Sequence, residues 1–308
     1  VTFASLKPGL LFGDGPEHCG RVEVADIGLP VGSRAGLVRD EDVAGWWPER
    51  RRDDHKWRHA CWVVAGSPGM GGAAVLASRG AARGGAGYVR LSTPGGPPDL
   101  RTPPEVVGHD LAGAGWDRDV VEGAPRFGAV VVGPGLGRRD DTVAAVVSLA
   151  QRCPVPLVVD GDALWALATD DRPVPAGEVA VLTPHDGEYA RLAGSPPGED
   201  RIDAARRLAE RRNAVVLLKG PTTVVAAPDR RVAVVTGGDA RLATAGSGDV
   251  LAGLVGALLA QGLGPFEAAA SAAHVHGATT RAWGRSAGLV SDDLPELLPA
   301  AIASVRGR

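Results

Sequence analysis

From residue 61 onward, short unbroken aliphatic runs alternate with segments of helical period. The runs cover 62–65, 88–92, 129–132, 157–159, 179–182 and 215–218, and Gly or Pro bounds most of them. Runs this short, with no alternation of apolar and polar positions, suit strands buried on both faces. The stretches 71–86, 141–152 and 203–212 between them carry helix formers. This order predicts an α/β fold, a doubly wound and mostly parallel sheet flanked by helices. Residues 224–227 and 231–235, joined across Pro228-Asp229-Arg230, predict a hairpin at a sheet edge. Three helices are expected after it, over 248–261, 265–283 and 292–305. Residues 1–48 differ: they are turn-rich, with short extended pieces such as 22–27 and no apolar period of helix length. A charged stretch at 49–56 follows them, so the expected division is a leading segment of 1–48 and a domain of 49–308.

Composition narrows the function classes. With 308 residues, 44% apolar and 22% charged, the chain can bury a full core. Its net charge of -3 and pI of about 6.2 supply no general positive field, which argues against nucleic acid as the main ligand. The most apolar window, 250–260, is closed by Asp249 and is well short of a membrane span. Cys19, Cys61 and Cys153 are odd in number and share no C-x-x-C spacing, as expected of reduced thiols. No signal peptide is visible, and the expected location is the cytoplasm, away from any membrane. Of the 33 basic residues only Lys7, Lys56 and Lys219 are Lys. In such an Arg-biased chain a Lys draws notice, because Arg cannot replace a compact ammonium at a tight phosphate site. The chain begins at Val1 and its only Met is Met70, so it is expected to be part of something longer.

In a doubly wound sheet, ligands bind beyond the carboxyl ends of the strands. Four of the loops there are unusual. Gly66-Ser67-Pro68-Gly69-Met70-Gly71-Gly72-Ala73 follows a strand and opens a helix, a geometry that brings backbone close to a ligand. A tight turn in a glycine-rich chain accounts for it equally well, and its spacing fits neither a dinucleotide fingerprint nor a Walker loop. Gly133-Pro134-Gly135-Leu136-Gly137 is similar. Thr183-Pro184-His185-Asp186-Gly187-Glu188 sets an imidazole and two carboxylates at a strand end, where capping is the commoner role. Ala243-Thr244-Ala245-Gly246-Ser247-Gly248-Asp249 runs directly into an apolar helix. There, small residues leave backbone amides and the helix dipole open to an anion, with Asp249 beside it. Ser247 or Asp249 as a simple N-cap is the plainer reading, but a cap does not require Gly on both sides of Ser. Leu218-Lys219-Gly220-Pro221-Thr222-Thr223 ends another strand and places one of the three lysines where phosphate could be held.

Taken in order, His55-Lys56, Gly66-Ser67 with Gly72-Ala73, Gly133 to Gly137, Thr183-Pro184-His185 with Gly187-Glu188, Leu218-Lys219-Gly220 and Gly246-Ser247-Gly248-Asp249 resemble one family. It is the ADP- or ATP-dependent NAD(P)H-hydrate dehydratases of the ribokinase-like superfamily, and the likeness covers roughly 53–305. The resemblance implies a lyase of metabolite repair. NADH or NADPH hydrated at C6 of the nicotinamide ring is phosphorylated on its hydroxyl, and elimination of the phosphate restores the dinucleotide. It further implies that Asp249 is the base and that Gly246, Ser247 and Gly248 cradle the phosphoryl group. Lys219, Gly220, Pro221, Thr222, Thr223 and Gly248 would line the nucleotide. Ala73, Gly135, His185 and Asp249 would meet the hydrate, and Glu188 would help hold Mg²⁺ through water. The expected partners are the hydrated dinucleotide, ADP or ATP, and further copies of the chain in a homo-oligomer. Thr2-Phe3, Leu6 to Leu10 and Val22 to Gly28 resemble the closing strands of an epimerase domain fused in front of many bacterial dehydratases.

The chain departs from that pattern at three places. Asp186 stands where the family has Pro, Trp165 where it tends to have Asn, and Ser247 where Thr is more usual. Two other readings stay open on sequence: a ribokinase-like kinase of a small alcohol that stops at the phosphorylated product, and an inactive nucleotide-binding domain.

Overall fold

The computed structural model describes residues 1–96, 102–175 and 180–307. Its strands are β1 (Thr2–Phe3), β2 (Val24–Ala25), β3 (Ala35–Leu37), β4 (Ala60–Val64), β5 (Tyr88–Ser92), β6 (Val106–Gly108), β7 (Ala129–Val132), β8 (Leu157–Val159), β9 (Ala180–Leu182), β10 (Val215–Leu218), β11 (Thr223–Ala226) and β12 (Val232–Val235). Of the run expected at 179–182, Val179 lies outside the described residues. β1 and β2 form a small parallel pair, and the other ten strands form one sheet in the order β3-β12-β11-β10-β9-β8-β7-β4-β5-β6. Every pairing in that sheet is parallel except those of β11 with β10 and β12.

The helices are α1 (Gly15–Cys19), α2 (Asp40–Trp46), α3 (Gly71–Arg83), α4 (Trp116–Gly123), α5 (Asp140–Arg152), α6 (Asp162–Leu167), α7 (Asp186–Ala193), α8 (Arg201–Arg212), α9 (Ser247–Ala260), α10 (Pro265–Trp283) and α11 (Leu294–Val305). Side chains of α2, α3, α9, α10 and α11 fill one apolar layer and those of α4 to α8 the other. Successive strand residues supply opposite layers: Cys61 and Val63 go to the first, Ala60, Trp62 and Val64 to the second. Helices on both faces are therefore why the strands read as unbroken apolar runs. Among the described residues, no helix is long and apolar enough to cross a membrane.

The hairpin β11–β12 is present but is not at an edge. β12 is buried along its whole length, and β3 pairs with it in parallel and covers its open backbone. The Val38 amide continues that pairing, at 2.9 Å from the Val234 carbonyl. Ala35-Gly36-Leu37 is too short and too weakly patterned to be read as a strand in isolation. The following helix α2 inserts Val43 into the first apolar layer, where Trp47 joins it.

α3 and α9 touch backbone to backbone. A Cβ on Gly253 would overlap the Ala77 carbonyl oxygen, and one on Gly80 would overlap the Val250 carbonyl oxygen. Each of these helices begins at one of the glycine-rich loops, so this contact fixes two of the site's loops relative to one another.

Candidate active site

The unusual loops meet at the carboxyl ends of the parallel strands. The Gly66 amide donates to the Pro134 carbonyl at 2.8 Å, and the Ser67 hydroxyl to that of Gly135 at 2.9 Å. Ala73, on the first turn of α3, packs against Gly135 with no room for a further side-chain atom between them. After β7, Gly133 has φ +123° and lies so near β8's end that a Cβ would overlap the Asp160 carbonyl oxygen. Only glycine meets both demands.

At the start of α9, the N-cap is Gly246, with φ +92° and no capping side chain. The reading of Ser247 or Asp249 as a simple N-cap therefore fails. Ser247 is buried, and its hydroxyl faces Nε2 of His276 at 3.2 Å. Its amide already donates to the Thr244 carbonyl at 3.2 Å. The open donors of the first turn are instead the amides of Gly246, Gly248 and Asp249, which have no protein acceptor among the described residues. Open amides at a helix N-terminus, together with the helix dipole, are the arrangement that suits an anion.

Charge around this turn is unusual. Lys219 follows β10, and its Nζ lies 2.9 Å from Asp160 and 3.7 Å from Glu188. A Cβ on Gly248 would be 3.3 Å from the same ammonium, so Lys219 faces the first turn of α9. Burial opposes the charge on Lys219, but Asp160 and Glu188 outweigh it and raise its pKa. Burial, reinforced by Asp160 and Glu188 and opposed by Lys219, lifts the Asp249 carboxyl to about 7. A carboxylate so poised can take a proton near neutral pH far better than an ordinary one. Burial likewise raises the pKa of Glu188.

His185 caps α7. Its Nδ1 accepts from the amides of Gly187 and Glu188, at 3.0 and 3.3 Å, while Glu188 Oε2 accepts from the His185 amide at 2.9 Å. Nε2 of the ring lies 3.6 Å from Oε1 of the same Glu188. Glu188 can face a hard cation only with what the cap leaves free, and no cluster of three metal-ligating side chains occurs among the described residues. That donor set fits Mg²⁺ carried on a nucleotide and met through water, not a protein cage.

One expected site residue stands differently. Thr222 is buried, and its hydroxyl is already engaged, donating to the Leu11 carbonyl at 2.6 Å. Gly220 and Pro221 are exposed beside it. Asp186 pairs with Arg201 at 2.8 Å, and Arg201 also donates to the Lys219 carbonyl at 2.8 Å. Trp165 lies under the guanidinium of Arg138, 5.6 Å from the ring centre, and that same Arg donates to Asp162 at 2.7 Å. His276 is a component that sequence reasoning missed, because a His within an apolar helix reads as core. Burial lowers its pKa to about 4, so it stays neutral beside Ser247.

Residues 61–302 match the sequence model of the NAD(P)H-hydrate dehydratases. The chain belongs to the NAD(P)H-hydrate dehydratase family. It is 41% identical over 330 aligned positions to a bifunctional NAD(P)H-hydrate repair enzyme of Salinibacter ruber, covering 97% of this chain and 60% of that protein. With the enzyme of the same description from Mycobacterium tuberculosis the identity is 44%, over 88% of this chain and 55% of the relative. The chain thus spans little more than half the length of such relatives. Among solved structures, the ADP/ATP-dependent NAD(P)H-hydrate dehydratase of Bacillus subtilis, co-crystallised with ATP and Mg²⁺, superimposes with a TM-score of 0.73 at 28% identity. That match covers 87% of this chain and 98% of the B. subtilis protein. A ribokinase-like protein of Enterococcus faecalis, 19% identical with a TM-score of 0.75 over 91% of this chain and 99% of its own, shares the fold.

The family pattern has Pro where this dehydratase-family chain has Asp186, and the local backbone accommodates either. Asp186 is the first residue of α7, where Pro is well accepted, and His185 before it is extended at φ -83° and ψ 174°. The lost ion pair is exposed on the Asp side. Asp186→Pro is therefore expected to change stability by less than about 1 kcal/mol and turnover by less than about twofold. Thermal unfolding and steady-state assay of the purified variant check this; a folded but inactive variant would show that Asp186 has a chemical role.

Proposed function

We propose that this chain catalyses the nucleotide-dependent dehydration of C6-hydrated NADH or NADPH. The observation that carries the reading is Asp249, a carboxyl with a pKa near 7 on a helix turn whose amides are open and which faces Lys219. Asp249 accepts the proton of the hydrate's C6 hydroxyl as that oxygen forms its bond to the terminal phosphorus of ADP or ATP, and the bond from that phosphorus to its bridging oxygen breaks, releasing AMP or ADP. The open amides of the first turn, with Lys219, hold the phosphoryl oxygens as charge builds on them. In the second stage the ring nitrogen's lone pair expels phosphate from C6, and loss of a proton from C5 completes the reduced nicotinamide. Mg²⁺, when bound with the nucleotide, neutralises phosphate charge; Glu188 would meet it through water. Ala73, Gly135 and His185 line the side on which the hydrate would lie. Lys219 and Gly248 would face the nucleotide, with Gly220, Pro221 and Thr223 at its edge.

Residues before about 34 fit the tail of a preceding epimerase domain, while β3 and α2, built into the sheet and its apolar layer, belong with the dehydratase unit. A cytoplasmic enzyme that forms a homo-oligomer is part of the same proposal. The test is stoichiometric: inorganic phosphate and reduced nicotinamide should appear one for one. A stable phosphorylated product, with no reduced nicotinamide, would mark a kinase instead.

The raised pKa of Asp249 carries a pH signature. The free enzyme needs this carboxyl ionised, so kcat/KM is expected to fall about tenfold per pH unit below about 7. Stability runs the other way. The folded state holds this proton more tightly than the unfolded chain, whose carboxyl has the ordinary value of 3.8. That contribution to folding is complete below the unfolded value and is lost as pH rises through about 7. At pH 8, Asp249→Asn is therefore expected to be more stable than the parent by on the order of 1–3 kcal/mol. Denaturant unfolding at pH 5 and pH 8 checks the sign: the gain should shrink at the lower pH.

A further inference from the structure

Asp160 ends β8 and is only 2% exposed; its charge helps lift the Asp249 carboxyl, and its contacts give it a second role. Its Oδ1 accepts from the Thr183 hydroxyl at 2.6 Å and from the Lys219 ammonium at 2.9 Å. Its backbone is fixed as well: its amide donates to the Val132 carbonyl at 3.1 Å, and its carbonyl accepts from Ala163 at 3.2 Å. Gly133 presses on that same carbonyl. One residue, through its carboxylate and its backbone, thus ties together the ends of β7, β8, β9 and β10. Lys219 is its mobile partner, a four-carbon chain that would otherwise sample many rotamers, including ones directed at Glu188.

On the dehydratase reading, we propose that Asp160 is a positioning residue, which with Thr183 holds the Lys219 ammonium against the first turn of α9, where the transferring phosphoryl group is bound. Asp160 itself touches neither substrate nor nucleotide. Besides its charge on Asp249, its effect on the phosphoryl site passes through Lys219: a fixed ammonium stabilises developing phosphoryl charge without reorganising, whereas a loose one must first be placed. Thr183 acts one step further out, holding the carboxylate in the rotamer that faces Lys219.

The test is a double-mutant cycle on kcat in the intact chain, run on the alkaline plateau of the pH profile of each variant so that Asp249 is ionised throughout, with Thr183 as an independent arm. Lys219→Met is expected to lower kcat by roughly 10²-fold, and Asp160→Asn by about 10- to 100-fold. Acting through the same ammonium, the two are non-additive, so Asp160→Asn/Lys219→Met should be no slower than Lys219→Met alone. Removing both charges of a buried pair is better tolerated than removing one. If Asp160→Asn fails to fold, the comparison of the double variant with Lys219→Met still decides the matter. Thr183→Val should lower kcat and Thr183→Ser should restore it, a rescue that a role in packing alone would not give. Multiplying losses in the double variant, or equal activity of Thr183→Val and Thr183→Ser, would overturn the assignment while leaving the dehydratase reading standing. Absence of hydrate turnover by the parent chain would overturn both.

Discussion

Asp249→Asn is expected to reduce hydrate turnover by roughly 10²- to 10⁴-fold, the usual loss when a general base is removed. Asparagine keeps the size of the side chain but cannot accept a proton at neutral pH. The helix α9 survives the change, because its packing rests on Val250, Leu251, Leu254, Val255 and Leu258 in the first apolar layer. Nucleotide binding should hold or tighten, since a negative charge leaves the neighbourhood of bound phosphates while Lys219 and the open amides remain. Loss of chemistry with retained binding and a raised melting temperature at pH 8 is a combination that misfolding does not imitate. A folded Asp249→Asn protein with near-parental turnover would remove the base from the mechanism.

Gly253→Ala is expected to produce a large loss of stability for a single added methyl group. That methyl would occupy the space of the Ala77 carbonyl oxygen, where two helix backbones already touch, and no flexible side chain can move aside. Overpacking of this kind costs about 1–3 kcal/mol and occasionally more, and the contact here is backbone to backbone, placing it at or beyond the upper end. α3 and α9 must separate, and each carries a site loop at its start, so kcat should fall as well. Ala has the higher intrinsic helix propensity, so a stabilised variant would mean that propensity outweighs the clash and that the two helices are less closely packed. Thermal unfolding of the variant separates the two outcomes.

Much of the sheet was legible in the chain because its strands are buried on both faces. The runs 88–92, 129–132, 157–159 and 215–218 coincide with β5, β7, β8 and β10. β3 and β6 were not legible: each has three residues and contains Gly, and each is a strand because of the neighbour it covers. β3 also shows why the hairpin was misplaced, since only the fold reveals that an earlier segment returns to cap β12. In the site, the glycine loops, Lys219, Glu188 and Asp249 could be singled out from residue type and their position after aliphatic runs. Thr222 could not be assigned, because only packing against Leu11 decides which way its hydroxyl points. Asp160 and His276 were equally opaque: one carboxylate in a turn and one imidazole in an apolar helix look ordinary until the distances to Lys219 and Ser247 are known. The open amides of the cradle shift by the same logic, since the Thr244 carbonyl takes the Ser247 donor.

The most direct measurement is absorbance at the reduced-nicotinamide band after C6-hydrated NADH or NADPH is added to the purified chain with Mg²⁺. The absorbance should rise when ADP or ATP is present, stay flat without nucleotide, and stay nearly flat with Asp249→Asn. A flat trace with the parent chain and either nucleotide, under conditions where the protein is folded, would contradict the account.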